Sequence, residues 1–357
     1  MKVVITGGAG FIGSQLGHYY HKMAHEVHLI DDFSYGQKDN LIIDGEKFGT
    51  FHHLDIRNQE EVEYIIYDTD LVIHLAGIAP LPDCQIDPQR AYSVNVGGLA
   101  SVLEACRKKH VPRILFASTS AVYENTKSSS RRGYNSGYSE DDTVRPDLTY
   151  AMTKYAAENL CQSYNSNYGM SIGILRFFNV FGPHQDFLRK QPPFTGYVAK
   201  CLANDQTPVL FNNSVAERDY IYIDDLISLV TEIGYREDKR GIYNIGTGLG
   251  FSVPKLYQIF LEASGKDIEA EFKNPKNYWD KYNSLFNCSY QFSNTRIAQE
   301  VHKNSVADMS KCEKEFLWKP SFSIEEGVER VYDYVLKHVL RERVKTIEMN
   351  TNEKFPK

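Results

Sequence analysis

A tyrosine and a lysine stand four residues apart, as Tyr150 and Lys154, in a segment with helical character. On a helix this spacing puts both side chains on one face, one turn from each other. A free tyrosine has a pKa near ~10, and lowering it to ~7 requires roughly 4 kcal/mol of preferential stabilisation of the phenolate. A neighbouring ammonium stabilises a phenolate in this way. The two residues therefore form a candidate proton-transfer pair.

A glycine-rich turn near the amino terminus has the residue types that cradle phosphates. Gly7, Gly10 and Gly13 follow the apolar run at residues 3–5. Because glycine lacks a Cβ, the backbone can turn tightly, approach a pyrophosphate and pack the next helix closely on the sheet. The helix that begins near Phe11 would point its free N–H groups and the positive end of its dipole at the phosphates. The flanking strand and helix favour a dinucleotide-binding turn over a flexible loop.

The second predicted strand ends in an acidic pair, Asp31 and Asp32. An acidic residue at this distance from the glycine turn suits the ribose hydroxyls of adenosine and repels a 2′-phosphate. We therefore expect NAD rather than NADP, with Asp31 as the ribose ligand and Asp32 as a second candidate contact. A tyrosine and lysine at this spacing, taken alone, more often form a solvated helix face. The ordered glycine turn, acidic strand end and hydroxyl-rich segment at residues 116–123 favour catalysis here.

The elements that must position these residues alternate short apolar strands with helical stretches. This alternation is typical of a parallel sheet covered on both faces. Strands are predicted at residues 2–6, 27–31, 51–55, 71–75, 113–118 and 171–178, and long helices at 88–109 and 149–168. The predicted fold class is α/β, a Rossmann-type doubly wound parallel sheet with a smaller C-terminal α/β substrate lobe.

The regular alternation weakens after residue 178, where Pro183, Pro192 and Pro193 interrupt the chain. We expect residues 1–178 to form the NAD-binding domain, with 219–246 returning to it. Residues 179–218 and 247–340 would form the substrate lobe. The charged and polar stretch at 341–357 is expected to fray.

Composition argues against several classes of partner. The 357 residues carry a net charge of −6 with acids and bases interspersed, so no basic stripe for nucleic acid is present. The six cysteines are scattered without a Cys-x-x-Cys pair, which fits reduced thiols in the cytosol. No leader is expected before the first strand, and no apolar run approaches the ~20 residues that span a bilayer. We expect a cytoplasmic protein with no nucleic-acid and no membrane partner.

Two further segments have ordinary structural explanations. His18, His21, His25 and His28 are close in sequence, but they straddle a helix end and the next strand, so they cannot all face one point. We therefore expect no metal site. The aromatic segment at residues 278–292 either caps a ligand or is a packing insertion, and the sequence favours neither.

Taken in order, the motifs resemble those of extended short-chain dehydrogenases/reductases of the NAD-dependent epimerase/dehydratase family, the nucleotide-sugar enzymes. The resemblance extends to about residue 338. It is carried by residues 6–13, 31–36, 55–56, 74–77, 95–98, 118–123, 150–154, 176–183, 218–225 and 244–248. It implies a set of NAD-binding residues: Gly7, Gly10, Phe11, Ile12, Gly13, Asp31, Asp32, Gly36, Asp55, Ile56, Leu75, Ala76, Gly77, Asn95, Ser118, Tyr150, Lys154 and Phe177.

The resemblance also implies catalytic roles. Tyr150 would be the acid/base, and Lys154 would hold the nicotinamide ribose and lower the pKa of the tyrosine. Thr119 would bind the reacting hydroxyl of the sugar. The substrate is implied to be a nucleotide-diphosphate sugar.

Four residues match family positions that bind the nucleotide. Asn179 and Arg218 would grip the diphosphate, since a guanidinium fork suits phosphate oxygens. Phe211 would cradle the base. Arg296 would be a second phosphate-binding arginine, although residues 296–300 read Arg-Ile-Ala-Gln-Glu where the family pattern is Arg-x-Gly-Glu.

Departures from the family pattern narrow the reaction. Dehydratases of the family place an Asp-Glu pair after the catalytic threonine, and this chain has Ser120 and Ala121. Without a carboxylate there, dehydration and decarboxylation lose their main acid/base. What remains is NAD-dependent epimerisation, at C4 through a transient 4-keto intermediate. A dehydrogenase or ketoreductase with net cofactor turnover is the alternative. A dehydratase or decarboxylase is a more distant alternative, as is a noncatalytic NAD-sensing protein.

The long helices at residues 88–109 and 149–168 resemble the pair that builds a dimer interface in this family. The resemblance therefore implies a homodimer through a four-helix bundle.

Overall fold

The computed structural model describes residues 1–126, 137–189, 192–211, 216–274, 277, 279–293, 295–296 and 303–353. The strands in this part of the chain are β1 (Lys2–Thr6), β2 (Glu26–Asp31), β3 (Ile42–Ile43), β4 (Glu46–Lys47), β5 (Thr50–His53), β6 (Leu71–His74), β7 (Arg113–Thr119), β8 (Ile172–Phe177), β9 (Asn179–Phe181), β10 (Val209–Leu210), β11 (Glu217–Tyr222), β12 (Gly241–Ile245), β13 (Gly250–Ser252) and β14 (Glu271–Phe272). The helices are α1 (Phe11–Lys22), α2 (Gln59–Ile65), α3 (Leu81–Ile86), α4 (Pro88–Tyr92), α5 (Leu99–Lys108), α6 (Thr149–Tyr168), α7 (Phe194–Ala203), α8 (Ile223–Gly234), α9 (Val253–Ser264), α10 (Ser310–Phe316) and α11 (Ile324–Glu353).

Seven parallel strands form the central sheet in the order β5-β2-β1-β6-β7-β8-β12. Every residue of β6, β7 and β8 is buried, as expected for strands with helices on both faces. The predicted doubly wound α/β fold is therefore confirmed. Because parallel strands align their carboxyl ends, the residues after β1, β2, β6 and β7 meet at one edge of the sheet.

The two long predicted helices differ in their regularity. Helix α6 has the predicted bounds, whereas the stretch predicted at 88–109 consists of α4 and α5 joined by a π-helical turn, Ser93–Gly98. The turn contains Asn95, whose side chain is committed to tertiary hydrogen bonds, and two glycines that disfavour a regular helix. A Cβ on Gly98 would lie 2.4 Å from Cδ1 of Ile56, so this turn packs closely on the segment after β5.

The second half of the chain forms a separate group of strands and helices and also contributes to the central sheet. Strands β9, β11 and β13 form a separate three-stranded sheet, and β10 pairs with β14. Helices α7 and α9 pack against α11. Strand β12 instead pairs with β8 in the central sheet, and α8 packs against α1 and β7. Buried apolar residues of this separate group and of the central sheet with its helices form one continuous core.

The carboxyl-terminal segment belongs to the last helix as far as the structure describes it. Helix α11 extends from Ile324 to Glu353, so residues 341–353 continue a helix. Their charged residues are arginine, glutamate and lysine, which are good helix formers. The preceding turns of this helix bury Val328, Val331 and Val335. Because these turns are packed, the helix can continue beyond them.

Candidate active site

A cavity of about 650 Å³ opens at the carboxyl ends of the central strands. It is lined by eleven of the residues expected to bind NAD: Gly7, Gly10, Phe11, Asp31, Asp32, Gly36, Asp55, Ile56, Leu75, Ala76 and Gly77. These residues come from the turns after β1, β2, β5 and β6. The sheet edge therefore collects the sequence motifs into one continuous surface.

The glycine turn has no room for side chains. Gly7 adopts a positive φ of 72°, and a Cβ there would lie 2.8 Å from the Ala76 nitrogen. A Cβ on Gly13 would lie 2.1 Å from the Gly7 carbonyl oxygen. Helix α1 begins directly after Gly10, which has no side chain to cap it. The free N–H groups of this helix end thus lie beside the cavity, as a pyrophosphate requires.

The carboxylate of Asp31 is fixed at the rim of the same cavity. Its oxygens accept hydrogen bonds from the backbone nitrogens of Ala9, at 3.0 Å, and Phe33, at 2.8 Å. A Cβ on Gly36 would lie 2.7 Å from the carboxylate, so the following loop covers it closely. Burial raises the pKa of Asp31, against the effect of these two hydrogen bonds. The cradle and this carboxylate together fit an NAD molecule.

Asp32 and Asp55 line the cavity with carboxylates that already have partners. Asp32 accepts hydrogen bonds from the backbone nitrogen and hydroxyl of Ser34, both at 2.8 Å. Asp55 pairs with Arg57, whose hydrogen bond holds the pKa of that carboxyl below its usual range. Both side chains are consequently ordered before any ligand arrives.

Seven of the residues expected to bind NAD lie outside the cavity lining: Ile12, Gly13, Asn95, Ser118, Tyr150, Lys154 and Phe177. Asn95 is buried and bonds to both backbone groups of Ile78, accepting at 2.7 Å and donating at 3.1 Å. It also donates to the hydroxyl of Thr153 on α6. Asn95 thus joins a cavity wall to the helix that carries Tyr150.

The catalytic candidates meet where β7 ends and α6 begins. Thr119 is the last residue of β7, and its side chain acts on the phenol of Tyr150, in the first turn of α6. The start of α6 is held by Gln85, whose side-chain oxygen accepts from the nitrogen and the hydroxyl of Thr149. Tyr150 packs beside Ile78, a cavity-lining residue. Thr119 and Tyr150 are therefore brought together next to a wall of the cavity.

Lys154 lies one turn after Tyr150, and only 5% of it is exposed. Its Nζ donates to the carbonyl oxygen of Ala117 at 2.8 Å and lies 5.0 Å from the ring centre of Phe116. A Cβ on Gly77 would lie 3.5 Å from this Nζ, so the ammonium adjoins the cavity wall. Burial lowers the pKa of Lys154 to about 8.

The prediction that Lys154 lowers the pKa of Tyr150 is wrong when only the groups of the protein act on the phenol. Burial raises the pKa of Tyr150 to about 12, and the hydrogen bond from Thr119 opposes this only in part. The physical reason is that the ammonium of Lys154 is directed at the Ala117 carbonyl. Additional positive charge at the cavity is needed to make the phenol acidic, and a nicotinamide cation carries such charge.

The expected diphosphate residues lie on neighbouring strands of the second sheet. Asn179, on β9, pairs with Tyr220 of β11, and its side-chain amide donates to the Asp219 carbonyl at 2.8 Å. Arg218 precedes Asp219 on β11 and is partly buried. The buried Asp219 carboxylate accepts from the nitrogens of Thr247, Gly248 and Ala307. These bonds hold the strand in place beside Arg218.

Phe211 and Arg296 lie in different surroundings. Phe211 is partly buried immediately after β10. Arg296 is buried and forms ion pairs with Glu124, at 2.8 Å, and Asp147, at 3.0 Å. Two carboxylates therefore already surround the guanidinium that the resemblance assigned to a substrate phosphate.

The described part of the aromatic segment packs on α3. Trp279, Tyr282 and Leu285 form a small buried cluster against Leu81 of α3, with Phe286 and Phe292 beside it. Helix α3 in turn carries Gln85, which holds the start of α6. The segment therefore packs on an element of the active site, and Tyr278 lies outside the described residues.

Sequence reasoning missed two pairs near this site. The Tyr35 hydroxyl donates to Asp83 at 2.8 Å, joining the loop after β2 to α3 along the cavity rim. Glu158 forms a buried ion pair with Arg176 beneath the catalytic helix. The spacing of Glu158, one turn after Lys154 on the same helix face, was the available signal for the second pair.

Comparisons with known proteins agree with this geometry. The profile of the NAD dependent epimerase/dehydratase family matches residues 3–246. The chain belongs to this family. The family is named for NAD, and the cavity fits that cofactor.

Full-length relatives span nearly the whole chain. A UDP-glucuronate 4-epimerase of Thermodesulfobacterium geofontis is 27% identical over 97% of this chain and 99% of its own. The UDP-glucose 4-epimerase of Thermotoga maritima, solved with UDP-glucose, superimposes with a TM-score of 0.80 and 25% identity over 95% of this chain and 100% of its own. The UDP-glucose 4-epimerase of Thermus thermophilus, solved with NAD, gives 0.78 and 27% over 94% of this chain and 99% of its own.

The described residues also bear on metal and membrane binding. Within the described ranges, no group of three or more histidine, cysteine, aspartate or glutamate side chains is arranged to hold a metal ion. None of the helices that the structure describes combines the length and apolar character needed to cross a membrane. All six cysteines are free, and all but Cys288 are buried.

Proposed function

We propose that this protein is an NAD-dependent epimerase that inverts C4 of a nucleoside diphosphate sugar. The observation that carries the proposal is the grouping of Thr119, Tyr150 and Lys154 where β7 and α6 meet, with Tyr150 packed beside Ile78 of the cavity wall. Relatives named as UDP-glucose and UDP-glucuronate 4-epimerases support this reaction class. We infer that uridine diphosphate sugars are the substrates to test first.

Each residue of this group has a role in moving one proton. The hydroxyl of Thr119 aligns the sugar alcohol, and Tyr150 accepts its proton and later returns it to the inverted carbinol. Lys154 holds the cofactor ribose and keeps positive charge beside the phenol. NAD, when bound, supplies the reversible oxidation of the carbinol carbon. The keto sugar must turn over before reduction, so the site must hold the diphosphate firmly and the sugar loosely.

The segment after Thr119 argues for epimerisation over dehydration. Ser120 and Ala121 begin a single helical turn, and the Ala121 nitrogen donates to the Thr119 hydroxyl at 3.1 Å. The next carboxylate along the chain, Glu124, accepts hydrogen bonds from the backbone at residues 147 and 148 and pairs with Arg296. Its buried side chain is therefore committed to structure rather than to protonating a leaving hydroxyl.

We also propose the residues that hold the nucleotide. Asn179 and Arg218 bind the diphosphate, since both lie on the second sheet and an arginine matches phosphate geometry. Phe211 stacks on the base. Arg296 binds a phosphate only while it also remains paired with Glu124 and Asp147.

The test is an incubation of the purified protein with a panel of nucleotide sugars, with product stereochemistry read by NMR. The expected result is inversion at C4 without added cofactor and without net change of nicotinamide absorbance. Stoichiometric change of that absorbance would instead identify a dehydrogenase or ketoreductase. A Tyr150→Phe variant that keeps wild-type turnover would reject the acid/base assignment.

We further propose a homodimer in the cytoplasm. Helices α4 and α6 expose large apolar side chains, namely Tyr92, Met152 and Tyr168, which a four-helix interface would cover. The free, largely buried thiols fit a reducing compartment. Light scattering at micromolar concentration should give twice the 40.9 kDa chain mass, and a monomer would contradict the dimer. Cell fractionation should recover the protein with cytoplasmic markers.

A further inference from the structure

The last three residues of β7 each interact with a different residue of α6. Ala117 and Ser118 are hydrogen-bonded to Lys154 and Glu158, and the side chain of Thr119 acts on the phenol of Tyr150. Two of these helix residues belong to the proposed chemistry. Glu158 is fully buried, and both of its carboxylate oxygens accept hydrogen bonds from inside the protein. Its role must therefore be exerted through its neighbours.

Arg176 of β8 binds Glu158 with both arms of its guanidinium. Nε donates to one carboxylate oxygen at 2.9 Å, and Nη2 donates to the other at 2.7 Å. Nη1 donates to the Tyr123 hydroxyl at 2.8 Å, which itself donates to Asn244 of β12 at 2.8 Å. One carboxylate on the catalytic helix is thereby tied to β7, β8, β12 and the turn after Thr119.

A buried ion pair of this kind is a poor way to gain stability. Desolvation of the two charges offsets most of their attraction, so apolar residues of similar size are often as stable. The bidentate fork and the Ser118 hydroxyl instead fix the direction of the Glu158 carboxylate. Because Glu158 is rigidly held, the rotation of α6 about its own axis is fixed relative to β7.

We propose that the pair of Glu158 and Arg176 positions the catalytic helix, setting Tyr150 and Lys154 in register with Thr119 and Ala117. The inference rests on the proposed function, in which Tyr150 exchanges a proton with the substrate. Glu158 and Arg176 are positioning residues, because both are buried and bonded to each other and to neighbouring protein groups. A small rotation of the helix would misplace the phenol while leaving the cofactor cradle intact.

Glu158 also contributes charge near Lys154. The pKa of the Lys154 ammonium is lowered by burial, and Glu158 opposes that lowering. The other titratable groups that face this ammonium are Cys84 from α3, Cys161 on α6 and His74 from β6. Removing the negative charge at residue 158 should therefore let Lys154 lose its proton at a lower pH.

The experiment compares Glu158→Gln and Arg176→Lys with a matched control, Glu232→Gln. The control removes the exposed pair of Glu232 with Arg236 on α8, far from the proposed chemistry. We expect kcat to fall roughly 10- to 100-fold in both test variants with KM within about twofold of wild type, since misplacing a catalytic group acts mainly on turnover. The control should keep wild-type kinetics.

The pH profiles of kcat distinguish a misplaced catalytic helix from a changed charge beside Lys154. In Glu158→Gln the alkaline limb of the kcat profile should move to lower pH, because the charge that supports Lys154 is gone. In Arg176→Lys the carboxylate remains, so kcat should fall while that limb stays in place. Wild-type kcat in both test variants would overturn the inference.

If a single variant folds poorly, the stability and the kcat of a double variant still test the inference. The double variant Glu158→Met/Arg176→Met removes both charges together, so it should unfold near the wild-type denaturant midpoint and still have low kcat. Wild-type kcat in this variant would also overturn the inference.

Hydrogen exchange of residues 149–154 in the NAD-bound protein requires no sugar, and we expect it to be faster in both test variants than in the control. Equal exchange in all three would count against positioning. A wild-type protein that inverts no nucleotide sugar would reject the proposed function without affecting this exchange comparison.

Discussion

The NAD-binding half and the substrate lobe hold their proposed ligand-binding residues in place in different ways. In the NAD-binding half the cavity-lining residues expected to bind NAD lie at or soon after the ends of strands of one sheet, as Gly7 follows β1 and Asp31 ends β2. In the lobe, Arg218 and Ser305 form a bridge between distant segments, and Asp219 joins β11 to Ala307. Cofactor recognition is thus local to short motifs. The residues proposed to bind substrate are instead held by contacts between segments far apart in sequence.

The difference extends to electrostatics. In the cofactor cavity the glycine turn and α1 present backbone N–H groups, and Asp31 provides a fixed negative charge. In the lobe the recognising groups are side chains, and Arg296 is already balanced by Glu124 and Asp147. We therefore expect substitutions in the two regions to separate cofactor affinity from substrate affinity.

The largest effect should follow from Tyr150→Phe, at the junction of the two regions. Loss of the phenol should lower kcat by about 10³-fold, since acid/base catalysis contributes roughly 10²- to 10⁴-fold. NAD affinity, measured by fluorescence titration, should change little. Tyr168→Phe removes an exposed hydroxyl from the same helix and should behave as wild type. A kcat within tenfold of wild type for Tyr150→Phe would remove the phenol from the mechanism.

The next effect concerns stability against pH at Lys154. Its pKa is lowered to about 8 in the folded chain, against about 10.4 in the unfolded chain. Below pH 8 the ammonium is charged in both states, so the cost of burying it is constant. Between these values the unfolded chain binds the extra proton, so stability rises with pH.

Relative to Lys154→Met, the free energy of unfolding of the wild type should therefore increase on the order of 3 kcal/mol between pH 7.5 and pH 10.5. Urea unfolding of both proteins at several pH values measures this difference. The exposed Lys22→Met variant should show no such change. A constant difference between the wild type and Lys154→Met would show that this lysine is not desolvated.

In the substrate lobe, Arg218→Met should raise the KM for the nucleotide sugar roughly 10- to 100-fold, since a hydrogen bond between charged groups contributes about 1.5–3 kcal/mol. NAD affinity should stay at the wild-type value. Arg236→Met, which removes an exposed arginine from the end of α8, is the matched control. If Arg218→Met weakens NAD binding as much as substrate binding, the two regions are not functionally separate.

The smallest effect is expected for Asp31→Asn in the cofactor cavity. The dissociation constant for NAD should rise about tenfold, because an amide oxygen is a weaker acceptor for ribose hydroxyls than a carboxylate. The preference for NAD over NADP should narrow, since the charge that repels a 2′-phosphate is lost. Calorimetric titration with both cofactors tests this, with the exposed Asp44→Asn as control. An unchanged preference would mean that Asp31 does not contact the ribose.

Much of the NAD-binding half could be predicted because its signals are local. The glycine turn, the acidic end of β2 and the spacing of Tyr150 and Lys154 each depend on a few neighbouring residues and on helix or strand geometry. The bounds of β1 and α6 follow the sequence pattern for the same reason. The π-helical turn before α5 does not, since it depends on the tertiary bonds of Asn95.

The rest required the tertiary structure. The direction of the Lys154 ammonium depends on which carbonyl is within reach, and the raised pKa of Tyr150 depends on the burial of its phenol. The partners of Arg296 come from residues 124 and 147, which no local pattern connects to it. The ion pair beneath the catalytic helix likewise joins α6 to β8. Side-chain partners set by packing leave little trace in sequence spacing.

The most direct test of the account follows a deuterium label at C4 of UDP-glucose or UDP-galactose through the reaction in ordinary water. Tyr150 exchanges only the hydroxyl proton in this account, so the deuterium should leave C4 and return to the same carbon. The inverted product should therefore keep the label at C4. Loss of the label to solvent, or inversion at a carbon other than C4, would contradict the account.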